Sequence, residues 1–568
     1  MNARPRASTI VLVVAVLVCL LFGLWGWSMQ GGALGLSPGD VFYRSLSALW
    51  LSDLFQSGAH WGHDPRVEIA RWAGLIAFAI GATKTLIALL SDRWETLRAR
   101  RRRGHAVVIG HAPLATSLVH GALERGLVVH WLSPSAEAID AAHRRLYCAN
   151  EPFTVPGALE LGLVHATWVA IAVDEDARAL AMARRIRQVL PGSERPALLA
   201  SVRSPWLALH VDTLEGTDGI ALFSEAQMAV RRLQRRHPPF LIARTLGHAR
   251  LHSVIVGFGA YGEAVLIETL LSSLTSELAC PLFTIVDPEA DRVSQHLALR
   301  YPELEESAEI RVVAGAIEGA GANVAPSSLH AIGEVAPVSS YHVCLSDEDR
   351  ALSVALALRA LAQRERRSEG PIHVRLSNAG TLPSPPPGAS RLEAGHLVPF
   401  GLLDQLLLET GLFDTDTDHL ARQFHEAYRR VAAPEKRANV PWADLPEDLR
   451  DSNRRLVAHI PAKLSSAGID VEAWLAGATG DVPDTWPTID AEPDAATLEA
   501  LAVLEHERWM ADRRINGWQH GAERADGRRR HPDLVPFERL SADSQSYDRT
   551  MVATLVKALR DAPTSEGQ

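Results

Sequence analysis

The run from Thr9 to Trp27 is almost wholly apolar and carries no charged side chain. A helix of this length spans a hydrocarbon layer of about 30 Å, so this part of the chain suits lipid better than water. A second such stretch, Ile69 to Leu90, has Trp72 near one end and Trp94 just past the other, where indole rings favour the membrane interface. Arg98, Arg100, Arg101, Arg102 and Arg103 follow at once, and under the positive-inside rule this cluster stays cytoplasmic, as do Arg4 and Arg6. The expectation for residues 1–103 is a hairpin of two spans, about 9–28 and 69–90, ending in a basic connector. The chain would then be a multi-pass protein of the inner (plasma) membrane, with the lipid bilayer as a partner and with its N-terminus and C-terminal domains cytoplasmic. A cleaved signal peptide is the alternative for the first run, and both its length and the span that follows argue against it. Lys84 inside the second span reads either as a side chain reaching back to the headgroups or as one lining a pore. Val41 to Phe55 is amphipathic at helical spacing, which suits a helix lying on the outer interface better than a re-entrant one.

Beyond this region the chain is of ordinary globular composition. Hydrophobic residues at 47% and charged residues at 22% exclude disorder throughout, and a net charge of −10 excludes a generally basic nucleic-acid binder. Cys19, Cys148, Cys280 and Cys344 lie far apart with no C-x-x-C spacing, which argues against a zinc module, a dithiol site or a disulfide framework. At roughly 150 residues per domain, 568 residues make three or four domains.

After the arginines, HAVVIG reads as a strand, LATSLVHGALERG as a helix and LVVHWL as a second strand, which is the grammar of a βαβ unit. The grammar restarts at HSVIVGFGAYGEAVLIETLL, where Gly257, Gly259 and Gly262 spell G-x-G-x-x-G between a strand and a helix. In that context the first glycine permits a tight turn, the second lets backbone approach a pyrophosphate, and the third lets helix and strand pack. Gly257, Phe258, Gly259, Ala260, Tyr261 and Gly262 are therefore candidate cofactor-binding residues. Asp287 joins them from the end of the next strand, placed to accept hydrogen bonds from a ribose diol, although it comes 30 residues after Gly257, later than usual. The turn in the first unit reads Gly110-His111-Ala112-Pro113-Leu114-Ala115, with alanines for the later glycines, and its second strand ends in Ser133 and Pro134 rather than an acid. That unit reads as a structural or dimerising copy. Two α/β, parallel-sheet domains of Rossmann type are expected, at 104–245 and 250–400.

Both units also carry a later strand, an acidic turn and a helix, at WVAIAVDEDARALAMARRI and YHVCLSDEDRALSVALALRAL. Two such units after a two-helix membrane segment resemble the regulator-of-potassium-conductance (RCK, TrkA-N) domains of ion channels and transporters, over roughly 104 to 400. The resemblance implies a cytoplasmic assembly that binds NAD(H), ATP or another adenine nucleotide and whose movement gates a membrane path. No T-V-G-Y-G or similar carbonyl filter lies between the spans, so potassium selectivity of the known kind is in doubt.

The region past about 415 is helical, aromatic and charged, and it is duplicated. VPWADLPEDLRDSNR from Val440 corresponds to VPFERLSADSQSYDR from Val535, and His425-Glu426 upstream corresponds to His506-Glu507. The copies are expected at 415–477 and 498–562, separated by an acidic, proline-bearing linker at 478–497. The second copy closely resembles the ryanodine-receptor repeat (RyR) domain through His506-Glu507-x-Trp509, Gly517-Trp518, His531-Pro532-x-Leu534-Val535-Pro536-Phe537 and Tyr547-Asp548-Arg549. The first copy lacks the G-W and H-P elements. The resemblance implies a small, mainly α, non-enzymatic module. His506, Trp509, Trp518, Phe537, Tyr547 and Arg549 are its candidate ligand pocket, in which rings would stack a purine and arginine would meet phosphate. The competing reading makes the aromatics a small core.

Three functions follow from these readings. The first is a membrane-anchored nucleotide sensor that regulates ion transport in a channel-like homo-oligomer, since two helices alone cannot enclose a pore. The second is a non-conducting receptor or scaffold that binds the same small ligand. The third, an NAD(P)-dependent oxidoreductase, ranks last, because neither unit carries an obvious acid, base or nucleophile beside its glycine turn.

Overall fold

The computed structural model describes residues 7–50, 64–111, 113–133, 146–149, 162–190, 196–210, 219–315, 332–365, 370–377, 396–403, 416–432, 438–472 and 493–560. Ala112, Pro134, residues 51–55 of the amphipathic stretch and residues 478–492 of the expected linker lie outside these. The chain divides into two compact units, Met1–Arg102 and Arg103–Gln568.

In the first unit, a helix from Ala7 to Leu34 packs along a helix from Pro65 to Arg101. Small residues permit the close approach. A Cβ on Gly26 would stand 2.7 Å from Val67 Cγ2, and one on Gly74 would stand 3.2 Å from Cys19 Sγ. Val13, Leu17, Leu21, Trp72, Ile76 and Phe78 point outward and are exposed, an apolar belt suited to lipid. Among the described residues, one helix is long and apolar enough to cross a membrane, within Val11–Gln30. The expected second span falls inside the helix Pro65–Arg101, whose side chains from residue 87 to 100 lie outside the description. That helix has 37 residues, about 55 Å, so the basic connector is helical through Arg101. Between the two long helices, Pro38–Ser47 forms a shorter one, started by a capping box. The Ser37 hydroxyl accepts from the Asp40 N–H at 3.2 Å, and the Asp40 carboxylate accepts from the Ser37 N–H at 2.9 Å.

The second unit holds two six-stranded parallel sheets. The first comprises β1 (His105–Ile109), β2 (Val129–Leu132), β3 (Leu146–Ala149), β4 (Ala166–Ile171), β5 (Ala197–Ser201) and β6 (Ile220–Phe223), in the order β3-β2-β1-β4-β5-β6. The second comprises β7 (Arg250–Val256), β8 (Ala279–Asp287), β9 (Glu309–Ala314), β10 (Ser340–Val343), β11 (Ile372–Arg375) and β12 (Leu397–Phe400), in the order β12-β11-β10-β7-β8-β9. Counted from its own first strand, each sheet runs 3-2-1-4-5-6, the doubly wound order, with a topological switch point between its first and fourth strands. β1, β2 and β10 are buried along their whole length, as central strands covered on both faces are. The helix Ala260–Ser273, which opens from the glycine turn, is buried from Gly262 to Ser273. It lies against its own sheet and against the helix Glu225–Arg236, which carries Ala226, Ala229, Val230 and Leu233 into a core shared by the two sheets.

The C-terminal part is mainly helical. The first repeat supplies the helices Asp416–Val431, Glu447–Ala458 and Ile460–Ser466, and the second supplies Ala495–Ile515 and Ala542–Arg560. Their cores merge. Phe424, Leu456 and Ile460 of the first pack with Leu555 and Leu559 of the second and with Phe240 from the helix that precedes β7.

Candidate functional site

At the end of β7 the three glycines do three different things. Gly257 has φ +86°, a conformation that L side chains rarely adopt, and its N–H donates to the Val286 carbonyl at 2.9 Å. Gly259 caps the helix Ala260–Ser273 with no side-chain cap, and a Cβ built there meets nothing within 4 Å. Gly262 lies so close to the turn that a Cβ would stand 2.3 Å from the Gly257 carbonyl oxygen. The result is an open helix N-terminus at the sheet's switch point, with backbone N–H groups and the positive end of the helix dipole facing the space above Gly259.

Asp287 adjoins this turn. Its Oδ2 accepts from the Phe258 N–H at 2.8 Å and its Oδ1 from the Glu289 N–H at 2.9 Å, so the carboxylate ties the glycine turn to the end of β8. Each oxygen keeps further lone-pair capacity. The other residues of the turn are spent on structure. Phe258 is buried and meets the edge of His296, and Ala260 packs against the shared core. Tyr261 donates to Glu225 Oε1 at 2.5 Å and lies under the Arg375 guanidinium, 5.1 Å from its ring centre. Burial, reinforced by Glu225, pushes the Tyr261 phenol well up, so it stays protonated.

Sequence reasoning missed Glu263, one turn into this helix and 4% exposed. It accepts from Tyr301 Oη at 2.7 Å, Arg300 Nη1 at 3.1 Å and His296 Nε2 at 3.2 Å. Burial raises its pKa, but the bonds from His296 and Tyr301 and the nearby charges outweigh burial and hold it below the usual range. An acid in the first turn of a glycine-loop helix was the available signal. Its ion pair with Arg300 offsets that charge beneath the turn.

The turn of the first sheet is closed by contrast. Gly110 has φ +149° and a Cβ there would stand 1.8 Å from the Ala172 carbonyl oxygen. The buried Trp131 indole donates to the Gly110 carbonyl at 2.8 Å, and His111 pairs with Asp174 at 3.1 Å.

The duplicated C-terminal sequence reappears as duplicated geometry. His425 Nε2 donates to the Val440 carbonyl at 2.7 Å, and His506 Nε2 donates to the Val535 carbonyl at 2.8 Å. Trp442 meets the first ring edge-on at 5.8 Å and Phe537 the second at 5.9 Å. In both copies a proline, Pro441 or Pro536, starts a single 3₁₀ turn. The second copy adds an aromatic wall. Trp509 stacks on His506 at 5.4 Å, His531 meets Trp509 at 5.1 Å and Trp518 at 6.0 Å, and the Arg513 guanidinium lies 5.7 and 5.6 Å from the two indole centres.

Residues 491–562 match the RyR domain family. Among solved structures the chain is similar to the GsuK channel bound to NAD, at 12% identity and TM-score 0.37 over 71% of this chain and 83% of that one. It is also similar to GsuK bound to ADP, at 16% identity and TM-score 0.35 over 66% and 89%. Within the RyR domain, the structure brings His506, Trp509, Trp518 and Tyr547 together around one cavity. The other two residues of the expected pocket lie elsewhere. Phe537 belongs to the domain's core with Leu501, Ala502 and Val552, and Arg549 is an exposed side chain paired with Glu499 at 2.6 Å. Because His506 Nε2–H is committed to Val535, its Nδ1 and the Asp548 carboxyl, 3.1 Å apart, must hold one proton between them. Burial works against a charged His506, but the Asp548 bond and charge prevail and raise its pKa.

A buried ionic network joins the glycine-turn helix to both repeats. Glu268, on the helix Ala260–Ser273, accepts from Arg231 Nε at 2.9 Å and Arg455 Nη2 at 3.4 Å. Arg231 reaches Asp451 at 2.7 Å, and Arg455 Nη1 reaches Asp512 of the RyR domain at 2.6 Å. Ser452 donates to the other Asp512 oxygen at 2.6 Å. His459 Nε2 donates to the Leu274 carbonyl at 2.7 Å, just past the same helix's last turn.

Proposed function

We propose that this chain is a membrane-anchored regulator that binds NAD(H) or another adenine nucleotide at the Gly257–Gly262 turn and, as a homo-oligomer, controls ion flux through a membrane assembly. The observation that carries the proposal is the space above Gly259. It is open, it lies over an uncapped helix N-terminus at a switch point, and the Asp287 carboxylate adjoins the same turn, where a ribose diol would fall. In this reading the helices at Ala7–Leu34 and Pro65–Arg101 both cross the inner membrane and the sheets and repeats lie in the cytoplasm. Asp287 would orient the ribose while holding the turn, and Phe258, Ala260, Tyr261 and Gly262 would fix the turn's shape. The ionic network through Glu268 would carry the state of the turn into the repeats. A ligand shifts such an assembly only to the extent that it binds one state better than the other.

The test is binding of NAD, NADH, ADP and ATP to the full chain and to Gly259→Asp. A carboxylate at residue 259 occupies the open position and repels phosphate, so at least one of these nucleotides should bind the natural chain and lose affinity by a hundredfold or more in the variant. Equal affinities would remove the turn as the site. Ion flux in vesicles holding the chain then separates a conducting assembly from a receptor, because nucleotide binding without nucleotide-dependent flux favours the receptor.

A further inference from the structure

Two neighbouring strands of the second sheet place histidines side by side in its interior. His342 on β10 and His373 on β11 are partners in the parallel register, so their side chains leave the same face, and their rings lie 4.6 Å apart. A third ring, His237, meets His373 at 5.6 Å. All three are buried. Buried polar atoms ordinarily have hydrogen-bond partners. Here neither ring nitrogen of His373 has one among the described residues, nor does Nδ1 of His342, whose Nε2 meets the Ser340 hydroxyl at 3.1 Å.

The surroundings offer these rings no countercharge. The titratable groups that act on His373 are His342, His237 and His396, the residue before β12, and none is a carboxylate. Arg375, two residues along β11, is engaged by Glu348 at 3.6 Å and by the Tyr261 ring. Burial pushes His342 down to about 3, and burial with the neighbouring histidines holds His373 well below the ordinary range. The rings are therefore neutral while they are packed.

The cluster lies at the head of a short bridging helix. His237 directly precedes Pro238 and the helix Pro239–Thr245, which packs on β7. A Cβ on Gly370, at the approach to β11, would stand 3.1 Å from Ile242 Cγ2 of this helix. Beyond its far end, His248 Nδ1 lies 3.0 Å from Ser339 Oγ, just ahead of β10. The same helix also serves the first repeat. Phe240 and Leu241 join Phe424, Leu456 and Ile460 in one core, and Arg244 donates to the Ser465 hydroxyl.

We infer that His342, His373 and His237 form an acid-operated latch, which when neutral lets the helix Pro239–Thr245 seat the first repeat on the second sheet and when protonated unseats it. A positive charge on closely packed rings with no acid beside them is opposed by burial and by the other rings. Opening admits water and returns each ring to its ordinary value of about 6.5. Because the packed rings take up protons only at lower pH, the closed form is fully favoured above that value and loses ground as pH falls below it. Each ring that passes from packed to solvated then favours opening about 25-fold more at pH 5 than at pH 7.

The test is amide hydrogen exchange of the full chain at pH 7 and pH 5, corrected for the intrinsic effect of pH on exchange. Protection of residues 239–245 should fall by a hundredfold or more between the two, and by far more than that of the helix Ala260–Ser273. In His373→Met and in His373→Gln the fall should be about 25-fold smaller. Methionine fills the ring's space and glutamine keeps a polar side chain, so the two bracket the packing change, and neither titrates. The comparison is between pH dependences, so a lower protection at pH 7 in either variant leaves it intact. The latch is refuted if residues 239–245 lose no more protection than Ala260–Ser273, or if both variants keep the pH dependence of the natural chain.

Discussion

Replacing Arg455 with methionine is expected to destabilise the unit that contains both sheets and both repeats by about 3–5 kcal/mol at pH 8, the usual cost of removing one partner from a buried ion pair. Arg455 is 2% exposed and stands between three carboxylates, Glu268, Asp451 and Asp512. Methionine fills much of the volume, so the loss reports charge rather than a cavity. Arg231 still serves Glu268 and Asp451, which leaves Asp512, fully buried, as the group most exposed to the change. The pH dependence separates the causes. In the natural chain burial raises the Asp451 and Asp512 pKa values, but the adjacent arginines outweigh burial and hold both below the ordinary range. Their stabilisation is therefore present above the unfolded carboxylate value of about 4, and is lost as pH falls through the lower folded values. Without Arg455 only Arg508, Arg513 and the Ser452 bond oppose the burial of Asp512, and its folded pKa should rise. The variant's deficit should then be largest at pH 8 and should shrink towards pH 5 as that carboxyl takes up a proton. Urea unfolding of the full chain at both values measures this, and a deficit equal at the two would assign the loss to packing.

The network also shows what a linear reading of this chain reaches and where it stops. The turn at Gly257 and the close packing at Gly262 follow from their spacing between a strand and a helix, because local backbone geometry fixes what each must do. The duplication was legible for a similar reason. VPWADL and VPFERL encode the same turn, and each turn presents a carbonyl to its own upstream histidine, at His425–Val440 and His506–Val535. Arg455 carries no such mark. It looks like one more cation on a charged helix, and its partners Glu268 and Asp512 lie 187 and 57 positions away, so only the docked tertiary structure defines its role. Arg549 erred in the opposite sense. Its motif drew attention as a phosphate ligand, yet it lies on the surface with Glu499, whereas Arg508 and Arg513, on the inner faces of the preceding helix, line the cavity. Helical phase relative to a neighbouring repeat decided which arginine faced inward. Asp287 lay between these cases, since its position at the end of β8 was readable but its bond to the Phe258 N–H was not.

The sharpest separation of packing from ligand approach comes from placing one methyl group at two positions three residues apart. In Gly262→Ala the new Cβ would stand 2.3 Å from the Gly257 carbonyl oxygen and 3.3 Å from Ile255 Cγ2. The first obstacle is backbone, which cannot rotate away as a side-chain tip can, so the helix Ala260–Ser273 must lift from β7. Overpacking of this kind costs about 1–3 kcal/mol or more. The shift also moves Glu268 against Arg455 and disturbs the turn, so nucleotide affinity should fall with stability. Gly259→Ala has the opposite profile. Gly259 has φ −92° and ψ −160°, open to any residue, and its Cβ meets nothing within 4 Å. Folded stability should hold or rise by about 0.4–1 kcal/mol, because the unfolded chain loses freedom. In the proposed site the methyl nevertheless stands where a pyrophosphate would approach the backbone, so affinity should drop at least tenfold in a protein that is no less stable. Thermal unfolding and nucleotide titration of the two variants side by side decide the matter. A Gly259→Ala chain that binds nucleotide as the natural one does would falsify the assignment of that space to phosphate, and a Gly262→Ala chain of unchanged stability would show that the helix does not rest on the turn as closely as its geometry requires.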